Sequence, residues 1–456
     1  MPVEILSSEP KASVPIWLIE KGGVEGSEMP KTAKFWAKQN GFDGAAAAVL
    51  ILPGADGGIA GALFGLGAND DPLIYGKLAA ALPGGAWKFS SAPANPELAL
   101  LGFLLGGYKF SNYLTSAKQP NVSLAAPKGV DIAAVMRLAE AVSLARDMIN
   151  TPANDMGPEA IEKSARAVAA KFKAKVKVTT GPQLLKQNFP MIHAVGRAAA
   201  QAPRLIEFTW GAKNAPKVTL VGKGVAFDTG GLDIKPSSGM LLMKKDMGGG
   251  ANILALAQLI MGEKLKMRLR VLIPAVENSI SASAFRPGDI LPSRKGISVE
   301  IGNTDAEGRL ILADALALAD EESPDILIDM ATLTGAARVA LGPDLPPFYT
   351  DDDAFAAELG IASERVSDPV WRMPLWRPYE RKLASKIADT NNVTADGFAG
   401  SITAALFMKK FVEKAKVWAH FDIFGWNPVE KPHAPVGGEA QAIRAVFEVL
   451  KQRYPA

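Results

Sequence analysis

At 456 residues the chain is longer than one hydrophobic core usually serves, and its 48% apolar and 21% charged residues make it globular, not disordered. Its 50 basic and 47 acidic residues leave a net charge of +3 with no stretch concentrating one sign, so neither a nucleic-acid nor a membrane-surface footprint is implied. Cysteine is absent and histidine is limited to His193, His420 and His433, which excludes disulfides, thiolate nucleophiles and sulfur-bound zinc; with no G-x-S-x-G elbow, a Ser-His-Asp triad is excluded too.

The chain opens M-P-V-E-I-L-S-S-E-P, without a basic start leading into an apolar run, and no stretch of about eighteen apolar residues occurs anywhere; a soluble protein without a signal peptide is expected. Short apolar runs then alternate with helical stretches: V-P-I-W-L-I-E, A-A-A-A-V-L-I-L and P-E-L-A-L-L-G-F-L-L-G-G-Y. These predict a small α/β domain over residues 1–128 with no readable chemistry. Asp131 is a candidate N-cap for a helix over 129–149, where Ile132, Val135, Ala139 and Val142 recur at helical spacing until N-T-P-A-N interrupts them. From 150 to 456 apolar strands alternate with helices: L-I-E-F-T-W, V-T-L-V-G, L-R-V-L-I-P-A-V, D-I-L-I-D-M-A-T-L and V-W-A-H-F-D-I. The fold class is therefore α/β, a small N-terminal domain followed by a larger catalytic domain whose central sheet is mainly parallel and covered by helices. Ligands in such sheets sit beyond the carboxyl ends of the strands.

The ionisable residues of the second half collect at those ends. V-T-L-V runs into G-K-G-V-A-F-D-T-G-G-L-D-I-K-P, which carries Lys223, Asp228 and Lys235; L-L-M-K-K-D-M-G-G-G places Asp246 before a helix; and S-V-E-I-G leads into N-T-D-A-E-G-R-L, with Asp305, Glu307 and Arg309. Taken singly, each acid reads as a helix cap or a solvated charge and each lysine as a surface residue. Asp305 and Glu307 in particular suit the positive end of the helix that L-I-L-A-D-A-L-A-L-A forms. Taken together, four carboxylates converging on one edge repel unless cations hold them. Hard oxygen ligands suit Mg, Mn or Zn, and bridging carboxylates hold two such ions roughly 3.5 to 4 Å apart. Lys223 joins such a set only as a neutral amine. No G-x-x-x-x-G-K-[ST] phosphate loop is present.

These motifs carry a resemblance. N-T-D-A-E-G-R-L, V-G-K-G-x-x-F-D-x-G-G-x-x-I-K-P and M-K-x-D-M-G-G, supported by A-R-D-M-I-N-T-P-A-N, R-P-G-D-I at 286, A-T-L-T-G-A at 331 and S-I-T-A-A-L-F at 401, resemble the leucyl aminopeptidases, cytosolic two-metal enzymes that assemble as hexamers. The resemblance covers roughly residues 130 to 426. It implies that Asp228 and Glu307 bridge two divalent ions (Mn or Zn, with Mg or Co in part), that Lys223 and Asp246 complete the amine-facing position, and that Asp305 binds the other through side chain and carbonyl. It makes Lys235 the group that polarises the scissile carbonyl and Arg309 the holder of a bicarbonate that acts as general base. Met243, Thr332 and Gly335 would line the pocket for the first side chain, and the Leu333 carbonyl would hold the peptide. The implied reaction is release of N-terminal residues from peptides, apolar ones such as leucine preferred, by a cytoplasmic homohexamer. A two-metal phosphohydrolase and an inactive scaffold on the same fold are the competing readings. The chain departs from the family pattern at Thr229, at S-I-S-A over 279–282 and in P-H-A-P-V-G-G-E-A-Q-A-I-R, none of which is a metal-ligand position.

Overall fold

The computed structural model describes residues 3–115 and 121–456. The chain divides into two units, one formed by 1–143 with 428–436, the other by 144–427 with 437–456.

The first unit holds a six-stranded sheet: β1 (Val3–Leu6), β2 (Val14–Glu20), β3 (Val49–Pro53), β4 (Ile59–Gly67), β5 (Gly85–Phe89) and β6 (Val122–Ala125), in the order β1-β6-β5-β2-β4-β3. All neighbours are parallel except β3 and β4. Its helix Pro96–Gly106 starts where two local rules coincide: Pro96 stands in the first turn, and Asn95 Oδ1 accepts from the Leu98 N–H at 3.1 Å. Eight of its residues, from Leu98 to Leu105, are buried, as an all-apolar helix requires. The helix Ile132–Asn150 follows, capped as expected by Asp131, whose Oδ1 accepts from Ala134 N–H at 2.9 Å.

The second unit is built on a nine-stranded sheet. In chain order its strands are β7 (Lys175–Thr180), β8 (Arg204–Trp210), β9 (Lys217–Gly222), β10 (Gly224–Asp228) and β11 (Arg268–Asn278). After the two short strands β12 (Ile290–Pro292) and β13 (Ser298–Glu300) come β14 (Ile326–Ala331), β15 (Pro347–Tyr349) and β16 (Trp371–Arg372). Then β17 (Thr390–Asn391) joins β12 and β13 in a separate small sheet, and β18 (Val417–Asp422) returns to the large one. The large sheet runs β16-β15-β18-β14-β9-β11-β8-β7, with β10 continuing alongside β11. Its centre, β18, β14, β9 and β11, is parallel, and β15, β8 and β7 flank it with antiparallel pairings.

Both faces of the central strands are covered, so their side chains are apolar at odd and even positions alike. Val221, Leu272, Leu327 and Trp418 point into a core shared with Leu310, Ile311 and Leu312 of the helix Glu307–Asp320. On the opposite face, Ile273 and Met330 meet the glycines that begin the helix Gly248–Glu263. Because β9, β14 and β18 are parallel and in register, Gly222, Met330 and Phe421 end side by side. The loops after these strands, together with the ends of β10 and β11 at Asp228 and Asn278, form one edge.

The helix Gly248–Glu263 reaches this edge only because its first turn lacks side chains. A Cβ on Gly249 would lie 2.1 Å from the Met330 carbonyl oxygen, a backbone atom that cannot move aside. Gly249→Ala is expected to cost about 2 kcal/mol or more, read as a lowered urea midpoint. Gly360→Ala, in the interior of the helix Asp353–Arg365 with nothing within 4 Å, is the matched control and should gain about 0.5–1 kcal/mol. Equal effects at both positions would mean that close helix approach does not constrain the edge.

Candidate metal centre

Lys223 follows directly on β9. Its backbone N–H donates to the Met330 carbonyl at 3.0 Å and its own carbonyl accepts from Gly250 at 2.7 Å, so the residue is pinned between β14 and the helix behind it. The side chain is only 3% exposed. Its Nζ lies 2.8 Å from Asp246 Oδ2 and 2.9 Å from Glu307 Oε1, and donates to the Thr332 carbonyl at 2.9 Å. The amine can sit there because residue 308 is glycine: a Cβ at that position would be 2.5 Å from Lys223 Cε and 2.7 Å from its Nζ.

A second ammonium serves the other two acids. Lys235 Nζ lies 2.9 Å from Asp228 Oδ2 and also pairs with Asp305 Oδ1. Oxygens of Asp228, Asp305 and Glu307 all fall within 4.8 Å of one another. Asp246 Oδ2, Asp305 Oδ1 and Glu307 Oε1 are buried with no hydrogen-bond donor aligned on them, held only by the charge of the nearby lysines. Buried acceptors in this state, all hard oxygens, fit the coordination sphere of a divalent cation.

The electrostatics say the same. Burial, reinforced by the Asp228 charge, pushes the Glu307 carboxyl up to about 8 and that of Asp305 to about 6. Burial also raises Asp246. Burial pulls Lys223 down, but Asp246, Glu307 and Asp228 together outweigh it and hold the ammonium above its ordinary value. The protein thus places cationic nitrogen where the acids need positive charge.

The helix-cap reading of Asp305 and Glu307 does not describe this geometry. The helix Glu307–Asp320 begins after Ala306, with no side chain capping it, and both carboxylates turn to the lysines instead. Arg309, in the first turn of the same helix, is 8% exposed; its Nη1 donates to the Asn392 carbonyl at 2.6 Å while its Nε is buried with no partner. Burial lowers its pKa to about 10. A guanidinium with an unspent N–H has the chemistry to bind a small oxyanion.

These groups surround a cavity of about 640 Å³. Of the residues singled out in the sequence, Lys223, Asp228, Lys235, Met243, Asp246, Asp305, Arg309, Thr332, Leu333 and Gly335 all line it, and Glu307 lies buried, 1% exposed, within reach of Lys223. Thr332 also does something its sequence context did not announce: its hydroxyl lies 2.9 Å from Asp246 Oδ1 and orients that carboxylate. His420 is not among the lining residues; its Nδ1 pairs with Asp329 Oδ1 at 2.6 Å inside the sheet.

Several positioning residues escaped the sequence reading. Asn278 Nδ2 donates to Asp228 Oδ1 at 2.8 Å and to the Thr304 carbonyl at 3.2 Å, tying two ligand segments together. Asn392 Oδ1 accepts from Gly302 at 2.8 Å, and its Nδ2 donates to the Asn303 carbonyl at 2.8 Å, which clamps the loop carrying Asp305. Asp422, at the end of β18, accepts from the N–H groups of Leu333 and Thr334 and from the hydroxyls of Thr334 and Ser401. A polar residue directly after an apolar strand was the available signal in V-E-N and H-F-D. Asn392 follows no such run.

The chain is similar to known proteins along most of its length. Residues 143–447 match the model of the cytosol aminopeptidase family, catalytic domain, and residues 11–127 that of the M17 aminopeptidase N-terminal domain. A probable cytosol aminopeptidase of Roseiflexus castenholzii is 40% identical over 77% of this chain and 75% of its own length. The crystal structure of the cytosol aminopeptidase from Coxiella burnetii superposes with a TM-score of 0.92 at 44% identity, covering 99% of both chains. The bottromycin maturation enzyme BotP, solved in complex with Mn, superposes with a TM-score of 0.88 at 32% identity over 97% of this chain and 99% of its own.

Metal binding can be read without activity. Manganese or zinc added to chelated protein at about a hundred times its dissociation constant should stabilise it by about 2.7 kcal/mol, a rise in Tm of about 3–4 °C for a unit of this size. Glu307→Gln should lose at least half of that rise. An unchanged response in this variant would remove Glu307 from the ligand set.

Proposed function

We infer the reaction from one premise: the chain belongs to the cytosol aminopeptidase family, whose members are metal-dependent aminopeptidases. The observation that carries the finer reading is the convergence of Asp228, Asp246, Asp305 and Glu307 on two lysines in one cavity. These four acids and the amine of Lys223, which would give up its proton once a cation's charge replaced its own beside the acids, would hold two divalent cations, manganese or zinc, with magnesium or cobalt as partial occupants. Bound there, the ions supply Lewis acidity toward the scissile carbonyl and lower the pKa of water.

The remaining work falls to the chain's own residues. Asp228 and Glu307 would be the ligands shared between the cations, and Asp246 would lie toward the substrate's free α-amine, which would restrict removal to a single residue from the N-terminus. Lys235 is 15% exposed through its side chain and lies at the rim of the acid cluster, from where its ammonium reaches the carbonyl oxygen as negative charge develops on it. Arg309 offers its unspent Nε–H to a small oxyanion. Bicarbonate is the occupant we propose, and it supplies the general base. The Leu333 carbonyl receives the substrate's backbone, while Met243, Thr332 and Gly335 wall the space for the first side chain. Leucine and similar apolar residues suit Met243 and the Thr332 methyl.

Family membership supports a cytoplasmic homohexamer as the working form. No described helix is long and apolar enough to cross a membrane. The phosphohydrolase and scaffold readings have no observation in their favour, since no phosphate-cradling motif is present and every ligand position is filled by a competent residue.

The test is release of ammonia from leucine amide and from N-acetyl-leucine amide, with protein chelated and then reloaded with manganese or zinc. Metal-restored cleavage of the free-amine substrate alone is expected. Cleavage of both substrates would contradict the amine contact. Lys235→Met should then lower kcat by about 10²–10³ with metal content unchanged, the loss expected for an oxyanion donor; a change confined to KM would reassign Lys235 to ground-state binding.

A further inference from the structure

Beyond the ligand cluster, the cavity wall carries a cation that the reaction does not use. Lys245, next in sequence to the ligand Asp246, is 6% exposed and lines the cavity. Its Nζ lies 4.7 Å from the centroid of the Phe424 ring, and the guanidinium carbon of Arg338 lies 5.1 Å from the same centroid. Phe424 and Arg338 line the cavity too. Among the described residues Lys245 has no hydrogen-bond acceptor and no ion-pair partner. The two acids whose charge reaches it are committed elsewhere, Asp246 to Lys223 and Thr332, and Asp422 to the Leu333 and Thr334 amides and the Ser401 hydroxyl. A buried ammonium stabilised by a ring face alone retains unmet donor capacity, and it lines the same cavity as Met243 and Thr332.

We propose that Lys245, Phe424 and Arg338 form a subsite that reads the tip of the substrate's first side chain and favours an oxygen acceptor there, in glutamate or glutamine. The proposal rests on the aminopeptidase reading above and extends the range of first residues it admits. The methylene stem of such a side chain packs against Met243 and the Phe424 ring, as an apolar residue does. Its terminal carboxylate or amide oxygen then accepts from Lys245, with Arg338 adding charge from the exposed side. The same two cations repel a first residue that ends in an ammonium or guanidinium, so lysine and arginine are excluded by charge, not by length. A charge-assisted hydrogen bond in a water-poor pocket discriminates by about tenfold to a hundredfold, and a buried like-charge contact by at least as much.

The experiment compares kcat/KM for the p-nitroanilides of leucine, glutamate, glutamine and lysine, using the manganese-loaded full chain and its Lys245→Met variant. Methionine keeps the length of the stem and removes the charge. In the unaltered protein, glutamate should exceed lysine by at least about tenfold, and in Lys245→Met the glutamate-to-leucine ratio should fall by at least about tenfold. A smaller fall in that ratio overturns the subsite even if all activities decline together, because a general loss of folding or metal lowers leucine equally. Should Lys245→Met fail to fold, the glutamate-to-lysine ratio of the unaltered protein decides alone, and a value below about tenfold overturns the proposal. Hydrolysis of none of the four substrates would instead contradict the aminopeptidase reading, a result distinct from leucine hydrolysis without the glutamate preference.

Discussion

Four carboxylates cannot be buried side by side unless positive charge is buried with them. Asp228, Asp246, Asp305 and Glu307 meet that constraint through Lys223 and Lys235, each bridging two acids. Isolating any one of these acids in a low-dielectric interior would cost several kcal/mol, far more than the few tenths a surface charge is worth. Much of the local sequence follows from this single requirement. Gly308 is small so that Lys223 can reach Glu307, and Gly249 is small so that the turn carrying Asp246 can lie against β14. Thr332, Asn278 and Asn392 spend their polar groups holding acids and their loops in place.

The sheet supplies the convergence. Lys223 follows β9, Asp228 ends β10, Asn278 ends β11, Thr332 follows β14 and Asp422 ends β18, and parallel pairing brings all these termini to one edge. Residues up to 109 positions apart in the chain thereby come within hydrogen-bond distance, as Lys223 and the Thr332 carbonyl do. The helix Glu307–Asp320 brings the last ligand from below the sheet, and its own buried acids anchor it. Asp314 accepts from the backbone N–H groups of Met191 and Arg294, and Asp320 from those of Glu413, Lys414 and Ala415. Those two acids lie on an otherwise apolar helix for structural reasons, while Glu307 at its start faces the lysine.

This division explains how far the sequence could be read. The α/β class and the mainly parallel sheet were legible because buried central strands are apolar at every position. The ligand candidates were legible because they fall where a strand has just ended or a helix is about to begin, where a packed core does not explain the residue type. What the sequence hid was pairing. Nothing local distinguishes Asp305 as a helix cap from Asp305 as a partner of Lys235, seventy residues earlier. Asn392 reads as an ordinary loop amide until its carbonyl meets Arg309 and its side chain meets Gly302. Lys245 reads as the second of two surface lysines, whereas the tight turn Met243–Met247 buries it while its neighbour Lys244 is half-buried and donates to the Asn150 carbonyl.

The cavity wall consequently carries charges of both signs. Asp228, Asp246 and Asp305 lie on it with whatever cations they hold, and Lys245 and Arg338 both approach the Phe424 ring. A free peptide terminus has a matching polarity, with an ammonium at the α-carbon and, in some residues, an oxygen at the end of the side chain. Placing both poles within a volume of about 640 Å³ makes orientation a consequence of electrostatics before any shape-specific contact forms. A blocked amine loses the first pole and a basic side chain inverts the second. The two failures would therefore involve different residues of the same cavity wall, the acid cluster for the blocked amine and Lys245 with Phe424 for the basic side chain.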